Sequence, residues 1–183
     1  MNNALGSTTP RYARDSGDIR RYPQKSVLIV DDEFGIRNFL VKGLSDRFAL
    51  VEFAEDVEKA EALRLRCHFD LIIADIRLPG RSGVEWVTEM REQGGTTAVI
   101  FITAHADLET AVAALRAGAA DFIVKPFRMD QMLASIERCM ERQQIQRENF
   151  VLKREVGKLF DSGIVGESEC IRGLLALLQR IAP

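Results

Sequence analysis

The sequence predicts a doubly wound α/β fold built on a five-stranded parallel sheet. From residue 25 onward, five short and almost entirely apolar runs alternate with amphipathic stretches. Apolar runs of this kind are typical of parallel strands that are buried on both faces. Regular alternation of strand and helix implies right-handed crossovers, which place helices on both sides of one sheet. We therefore expect a (βα)₅ chain with the strand order 2-1-3-4-5.

Composition predicts a soluble, cytoplasmic protein. The 183 residues are 46% hydrophobic and 28% charged, which suits one compact domain with an additional segment. A formal charge of -2 argues against attraction of the whole chain to nucleic acid or to an anionic membrane. No apolar run approaches the roughly 18 residues that a membrane span needs. Residues 1–24 mix glycine, serine, threonine, proline and charge, so they predict a disordered tail.

The individual elements follow from the period of the apolar residues. The strands are predicted at the runs SVLIV, FALVEF, FDLIIA, AVIFIT and DFIV. The first four helices are predicted at residues 34–45, 56–67, 83–93 and 107–117. Gly118 supplies a C-cap for the fourth helix. A fifth helix is predicted from Asp130, and no proline or glycine interrupts it before Gly157.

The distal part of the fifth helix carries a short coiled-coil pattern. A 4,3 spacing assigns five residues to successive d and a positions: Ile145, Asn149, Leu152, Val156 and Leu159. The pattern predicts a parallel homodimer in which the polar a position favours two strands in register. Because only two heptads support it, a single amphipathic helix that packs on its own chain is the alternative.

A cluster of acids ends the first strand, where Asp31, Asp32 and Glu33 follow one another. Their mutual repulsion would raise their pKa values unless a cation lies close by. Mg²⁺ is typically held by one or two carboxylates together with a substrate phosphate, so it is the cation that we expect. The alternative is that Asp32 or Glu33 interacts with the N-terminus of the following helix.

Three further strand ends bring compatible groups to the same edge. Strand 3 ends in Asp75, strand 4 in Thr103 and strand 5 in Lys125. In doubly wound sheets, functional groups gather beyond the carboxyl ends of the strands, where the strand order reverses. Carboxylates beside a hydroxyl and an ammonium suit phosphoryl transfer, which requires mainly positioning and charge neutralisation. The convergence favours such a site over simple helix capping.

These residues resemble those of the receiver domain of two-component response regulators. The resemblance covers about residues 25–143 and rests on LIVDDE, DLIIADIRLPGRSG, FITAHAD and GAADFIVKPF, which stand in the family's order. It implies a flavodoxin-like (CheY-like) fold and phosphorylation of Asp75 by a sensor histidine kinase. The implied Mg²⁺ ligands are Asp31 through water, Asp32, Asp75 and the backbone carbonyl of Arg77. The implied phosphate-contacting and switch residues are Thr103, Lys125 and Phe122, although an aromatic residue in a short apolar strand is ordinarily a core residue.

The end of the sequence carries a second, shorter resemblance. Residues 161–183 include IVGES, which is similar to the opening of the AAA+ ATPase domain in sigma-54-dependent activators. No Walker A motif follows, so this segment cannot cradle nucleotide phosphates. The resemblance implies a non-enzymatic regulatory part of an NtrC-like activator: receiver at 25–143, linker helix at 144–160 and truncated ATPase start at 161–183. Sigma-54 RNA polymerase and DNA would be contacted only through other domains.

Three other functions compete with this interpretation. A Mg²⁺-dependent phosphohydrolase with an aspartyl intermediate would hydrolyse small phosphate esters, but DDEFG lacks a D-x-D pair of acids. A flavodoxin would need a hydroxyl-rich and glycine-rich loop after strand 1 to bind the phosphate of its flavin. In this sequence, acids stand at that position instead. A pseudo-receiver that only mediates assembly is disfavoured by the intact set of acids, hydroxyl and lysine.

Overall fold

The computed structural model describes residues 22–104 and 108–161, and it confirms the predicted fold class. In these ranges five strands alternate with five helices. The strands are β1 (Tyr22–Val30), β2 (Phe48–Ala54), β3 (Leu71–Asp75), β4 (Ala98–Thr103) and β5 (Asp121–Val124). The helices are α1 (Phe34–Leu44), α2 (Val57–Arg66), α3 (Gly83–Glu92), α4 (Leu108–Arg116) and α5 (Met129–Asp161). Most of the predicted tail and the ATPase-like segment from residue 162 lie outside the described residues.

The strand order is β2-β1-β3-β4-β5, and every neighbouring pair is parallel. The chain passes from β1 to β2 on one side and then to β3 on the other, so the order reverses between β1 and β3. Val30 at the end of β1 lies beside Ala74, and Thr103 at the end of β4 lies beside Val124. This register brings the carboxyl ends of four strands to one edge, as the sequence predicts.

The three central strands form the core because helices cover both of their faces. All residues of β3 and β4 are buried. One face of the sheet contributes Leu28, Ile72 and Phe101 to a cluster with Trp86 of α3. Full burial of each aliphatic or aromatic side chain stabilises the fold by about 1.5–3 kcal/mol. The end of β3, and with it Asp75, is therefore held in a rigid frame.

The strand β1 begins earlier than the sequence analysis places it. Composition predicts that residues 22–24 belong to the tail, but Tyr22 pairs with Phe48 of β2. The backbone N–H of Tyr22 donates to the carbonyl of Arg47, and the two rings lie 5.1 Å apart between centroids. This aromatic pair extends the edge of the sheet beyond the aliphatic run, so hydropathy alone does not reveal it.

The helix α5 runs without interruption from Met129 to Asp161. The chain divides into two compact units between Ser135 and Ile136, so the distal part of this helix belongs to the second unit. Within that unit the apolar side chains Ile145, Phe150, Val151 and Leu152 are each more than half exposed. The side chains of Val156 and Leu159 lie outside the described residues. None of the helices in the described ranges is long and apolar enough to cross a membrane.

Candidate functional site

Three aspartates meet at the carboxyl edge of the sheet. Asp31 follows β1 and is fully buried, Asp75 ends β3 and is also buried, and Asp32 is exposed. One carboxylate oxygen from each of the three lies within 4.8 Å of the others. The arrangement arises because β1 and β3 are neighbours in the sheet. The structure thus brings together the acids that the sequence analysis selects, at the point where the strand order reverses.

Two of these carboxylates are oriented by the backbone that follows them. Asp31 Oδ1 accepts a hydrogen bond of 2.9 Å from the N–H of Glu33, and Asp75 Oδ1 accepts one of 2.8 Å from the N–H of Arg77. Both are local turns in which an aspartate bonds to the backbone two residues on. The second oxygen of each carboxylate, Oδ2, is directed instead toward Lys125.

Lys125 joins the acids from the end of β5. Its Nζ lies 2.6 Å from Asp75 Oδ2, 2.7 Å from Glu33 Oε1 and 3.0 Å from Asp31 Oδ2. Its backbone N–H donates to the carbonyl of Thr103, which fixes the strand end. Burial alone would lower the pKa of Lys125, but the contacts with Asp75, Glu33 and Asp31 outweigh it and raise the pKa above its ordinary value. The ammonium therefore stays charged.

The donor set fits a hard divalent cation. Burial raises the pKa of Asp31, and the contact with Lys125 and the hydrogen bond from Glu33 N–H only partly offset this effect. Asp31 Oδ2 lies near the ammonium as an ion pair but accepts no aligned hydrogen bond. A buried carboxylate oxygen without an aligned donor, beside two further carboxylates, suits Mg²⁺, which prefers oxygen ligands.

The remaining predicted residues lie on β4, on β5 and in the loop after β3. Thr103 is buried at the end of β4, next to Val124 in the sheet. Arg77 is exposed and follows Asp75 in the loop after β3. Phe122 in β5 is 37% exposed and therefore is not the ordinary core residue that its short apolar strand suggests. The peptide bond between Lys125 and Pro126 is cis.

Arg37, which the sequence pattern did not single out, supports the acidic turn from α1. The side chain is buried, and its Nη1 donates hydrogen bonds of 2.6 Å and 2.8 Å to the carbonyls of Asp31 and Asp32. A signal was available in the sequence: Arg37 stands three residues before Leu40 and seven before Leu44, the two buried leucines of the helix. A cation on the buried face of a helix needs a polar partner, and here the partner is the acidic turn.

Glu33 is the second residue whose role the sequence analysis did not identify. It occupies the N-cap position of α1, but its side chain makes no capping hydrogen bond. The carboxylate reaches Lys125 instead, across 92 positions of sequence. The alternative in which Glu33 caps the helix through its side chain is therefore wrong.

The site and fold match proteins that are already known. The family model described as response regulator receiver domain matches residues 27–137. Regulatory protein AtoC of Escherichia coli (strain K12) is 39% identical over 126 residues, which are 67% of this chain and 26% of AtoC. DNA-binding transcriptional regulator NtrC of the same strain is 31% identical over 157 residues, which are 85% of this chain and 33% of NtrC. The chain thus spans about a quarter to a third of the length of these relatives.

Solved structures agree with this similarity. NtrX from Brucella abortus superposes with a TM-score of 0.65 and 34% sequence identity, over 87% of this chain and 34% of that chain. Chemotaxis response regulator CheY4 of Vibrio cholerae gives a TM-score of 0.59 and 31% identity, over 63% of this chain and 98% of CheY4. Nearly the whole CheY4 chain therefore matches about two thirds of this chain.

Proposed function

This chain belongs to the response regulator receiver domain family, and we propose that its Asp75 accepts a phosphoryl group from a sensor histidine kinase. The observation that carries the proposal is the convergence of Asp31, Asp32, Asp75 and Lys125 at one edge of the sheet. Asp75 belongs to the cluster of three aspartates and also makes the shortest contact with the Lys125 ammonium, at 2.6 Å. It is also fixed by the N–H of Arg77, so its geometry is preorganised.

The proposed reaction is an in-line displacement at phosphorus. A carboxylate oxygen of Asp75 attacks the phosphorus atom and forms an O–P bond, while the bond from phosphorus to the donor breaks. The donor atom, a histidine nitrogen in the kinase or an oxygen in acetyl phosphate, leaves with the electron pair. Lys125 contacts the phosphoryl oxygens, and the Thr103 hydroxyl donates a hydrogen bond to one of them. These residues supply positioning and charge, which are the main requirements of phosphoryl transfer.

Mg²⁺ is the cofactor that the acidic cluster would hold. Its ligands would be Asp32, Asp75 and the backbone carbonyl of Arg77, with Asp31 acting through water. When bound, the ion supplies positive charge that neutralises the oxygens of the transferring group. The local charge supports this assignment, because Lys125 pairs with the carboxylates of Asp31, Glu33 and Asp75, and Asp32 adds a fourth carboxylate to the cluster.

The proposed output runs through β5 and α5. Movement of Thr103 toward the phosphoryl group would leave room for Phe122 to turn inward, which would change the surface formed by α4, β5 and α5. The first residue of α5 comes only four positions after Lys125, and the same helix continues to Asp161. A change at the site can thus reach the linker helix at 144–160 through one continuous element.

We assign this receiver to a cytoplasmic, sigma-54-dependent transcriptional activator of the NtrC type. The similarity to AtoC and NtrC supports the assignment. In the proposed arrangement, two copies pair through Ile145, Asn149, Leu152, Val156 and Leu159, and phosphorylation changes how they pack. An ATPase domain starting at 161–183 would act on sigma-54 RNA polymerase, and DNA would be bound by a further domain.

Labelling with acetyl phosphate tests the phosphoacceptor directly. With Mg²⁺, the intact mass of the protein should increase by one phosphoryl group, and a chelator should abolish the increase. Asp75→Asn keeps the shape of the side chain but removes the nucleophilic carboxylate, so this variant should not gain mass. Normal labelling of Asp75→Asn would contradict the assignment. Continuous hydrolysis of small phosphate esters would indicate a phosphohydrolase instead.

A further inference from the structure

Glu33 occupies one of three carboxylate positions around the Lys125 ammonium. Glu33 Oε1 lies 2.7 Å from Nζ, between the distances for Asp75 Oδ2 at 2.6 Å and Asp31 Oδ2 at 3.0 Å. A lysine ammonium has three donor hydrogens and no others. Glu33 and Asp75 accept hydrogen bonds from Nζ, and Asp31 Oδ2 lies on its third side as an ion pair. A further anion that binds Nζ therefore competes with one of these three carboxylates.

The three carboxylates differ in how readily they can leave. The side chains of Asp31 and Asp75 are 0% and 7% exposed, whereas that of Glu33 is 59% exposed. Exposed ion pairs contribute little net free energy, because water solvates the separated charges well. A buried carboxylate that loses its cation carries a larger penalty. Glu33 is thus the partner that Lys125 can release at the lowest cost.

The backbone keeps Glu33 close to Lys125 even when the two side chains separate. The N–H of Glu33 is hydrogen-bonded to Asp31 Oδ1, and its carbonyl accepts the N–H of Arg37 at the start of α1. The carboxylate therefore remains within reach of the ammonium. A phosphoryl group on Asp75 would have to hold Lys125 against this tethered competitor, and it would also meet the negative charge of Glu33.

We propose that Glu33 competes with the phosphoryl group for Lys125 and thereby lowers the affinity of the site for phosphoryl-like anions. Glu33 is then a positioning residue. By holding Lys125, it shifts the equilibrium of the receiver toward the free state and away from the phosphorylated state. The inference rests on the proposed function, because it assumes that a phosphoryl group on Asp75 is the ligand of Lys125.

Beryllofluoride binding in the presence of Mg²⁺ measures this competition at equilibrium, without phosphoryl turnover. The full chain is titrated as wild type, as Glu33→Gln and as Glu58→Gln, and the bound fluoride is observed by ¹⁹F NMR. Glu33→Gln removes the competing charge while keeping the length of the side chain. Glu58→Gln is the matched control, because it removes one exposed carboxylate from the first turn of α2, and Lys125 pairs with other acids.

Glu33→Gln should bind beryllofluoride about threefold to fivefold more tightly than wild type, which is the range that loss of one exposed ion pair allows. Glu58→Gln should bind like wild type, and the half-saturating concentration of acetyl phosphate should fall only for Glu33→Gln. Equal or weaker binding by Glu33→Gln overturns the inference, and so does equal tightening by Glu58→Gln, which would indicate general charge repulsion. If wild type itself does not bind beryllofluoride with Mg²⁺, the proposed function fails and the inference fails with it.

Discussion

At the scale of single residues, one buried guanidinium supports the turn that presents the acids. Arg37 donates to the carbonyls of Asp31 and Asp32, and its Nη2 lies 3.8 Å from a carboxylate oxygen of Glu55. These bonds hold the backbone in a shape that directs two carboxylates to one side. A long aliphatic side chain could fill the same space but could not serve the carbonyls.

Arg37→Met should therefore destabilise the protein. It leaves two carbonyl groups without their donor, and loss of a buried hydrogen-bond partner costs about 1–3 kcal/mol. The free energy of unfolding in urea measures the effect. Arg128→Met is the control, because Arg128 is exposed and forms an ion pair with Asp130 at the surface. Equal urea midpoints for the two variants would show that the Arg37 bonds contribute no net stability.

Lys125→Ala should separate phosphorylation from its output. The variant still has Asp75 and the acids that would bind Mg²⁺, so acetyl phosphate should label it, although more slowly. Without the ammonium, the phosphoryl group loses its charge contact with the end of β5. Amide hydrogen exchange of β5 and the first turns of α5 should change on labelling in wild type and stay unchanged in Lys125→Ala. Lys59→Ala, which changes an exposed lysine, is the control and should respond like wild type. If hydrogen exchange changed equally in Lys125→Ala and in wild type, Lys125 would not be needed to transmit the signal.

The sequence predicts the site residues to the extent that strand ends determine their positions. Asp31, Asp75, Thr103 and Lys125 each follow an apolar run, so strand order alone brings them to one edge. The contacts of Arg37 and Glu33 were not predicted, because they depend on the rotation of α1 and on the reach of long side chains. Neither the rotation of a helix nor the reach of a side chain produces a periodic pattern in the sequence.

At the scale of elements, Asp70 ties β3 to β1 at the edge opposite the site. Its Oδ1 pairs with Lys25 Nζ at 2.7 Å, and its Oδ2 accepts the backbone N–H of Ser26 at 3.0 Å. Burial alone would raise the pKa of Asp70, but these hydrogen bonds outweigh it and lower the pKa below its ordinary value of 3.8. The folded state thus favours the ionised carboxylate.

The stability that Asp70 contributes should depend on pH in one direction. Because its pKa is lower in the folded state, the contribution is fully present above the unfolded-state pKa and is lost as pH falls through the folded-state pKa. Asp70→Asn should therefore be less stable than wild type at pH 6, and the difference in the free energy of unfolding should shrink below about pH 4. A difference that stays constant over this range would show that ionisation of Asp70 does not stabilise the fold.

The distal part of α5 presents more apolar surface than a coiled-coil seam requires. Ile145 and Leu152 belong to the predicted seam, but Phe150 and Val151 are also exposed and occupy b and c positions of the same heptads. Two surfaces of the helix therefore compete for a partner. The 4,3 spacing of the apolar residues favours the seam over Phe150 and Val151 as the contact surface.

Substitution of Leu152 and Val156 by lysine should produce a monomer that still labels on Asp75. The change would place each lysine against the same lysine of the partner helix. The contacts of only two heptads cannot offset the repulsion between these buried charges. Sedimentation of wild type and variant measures the effect. Lysines at Phe150 and Val151 are the matched control and should leave the dimer intact. A dimer that survives the first double substitution, or dissociates with the second, would place the interface elsewhere on the chain.

At the scale of the whole molecule, the fold was predictable because parallel strands need apolar residues on both faces. Five such runs, separated by helical patterns, leave few arrangements that obey the rules of right-handed connection. The largest departure in the strands is at the start of β1, where Tyr22 joins the sheet through an aromatic pair rather than through an aliphatic run. The same scaffold can carry other chemistry, so the function depends on the acids and the lysine rather than on the sheet.

The identity of the phosphorylated residue is the central claim, and reductive trapping measures it most directly. The protein is labelled with acetyl phosphate and Mg²⁺ and then treated with borohydride, which reduces an aspartyl phosphate to the corresponding alcohol. Peptide mass mapping locates the converted residue. Conversion at position 75 alone is the expected result, with none at Asp31 or Asp32, although all three carboxylates lie within the same cluster. Conversion at Asp31 or Asp32, or labelled protein without conversion at Asp75, would contradict the account.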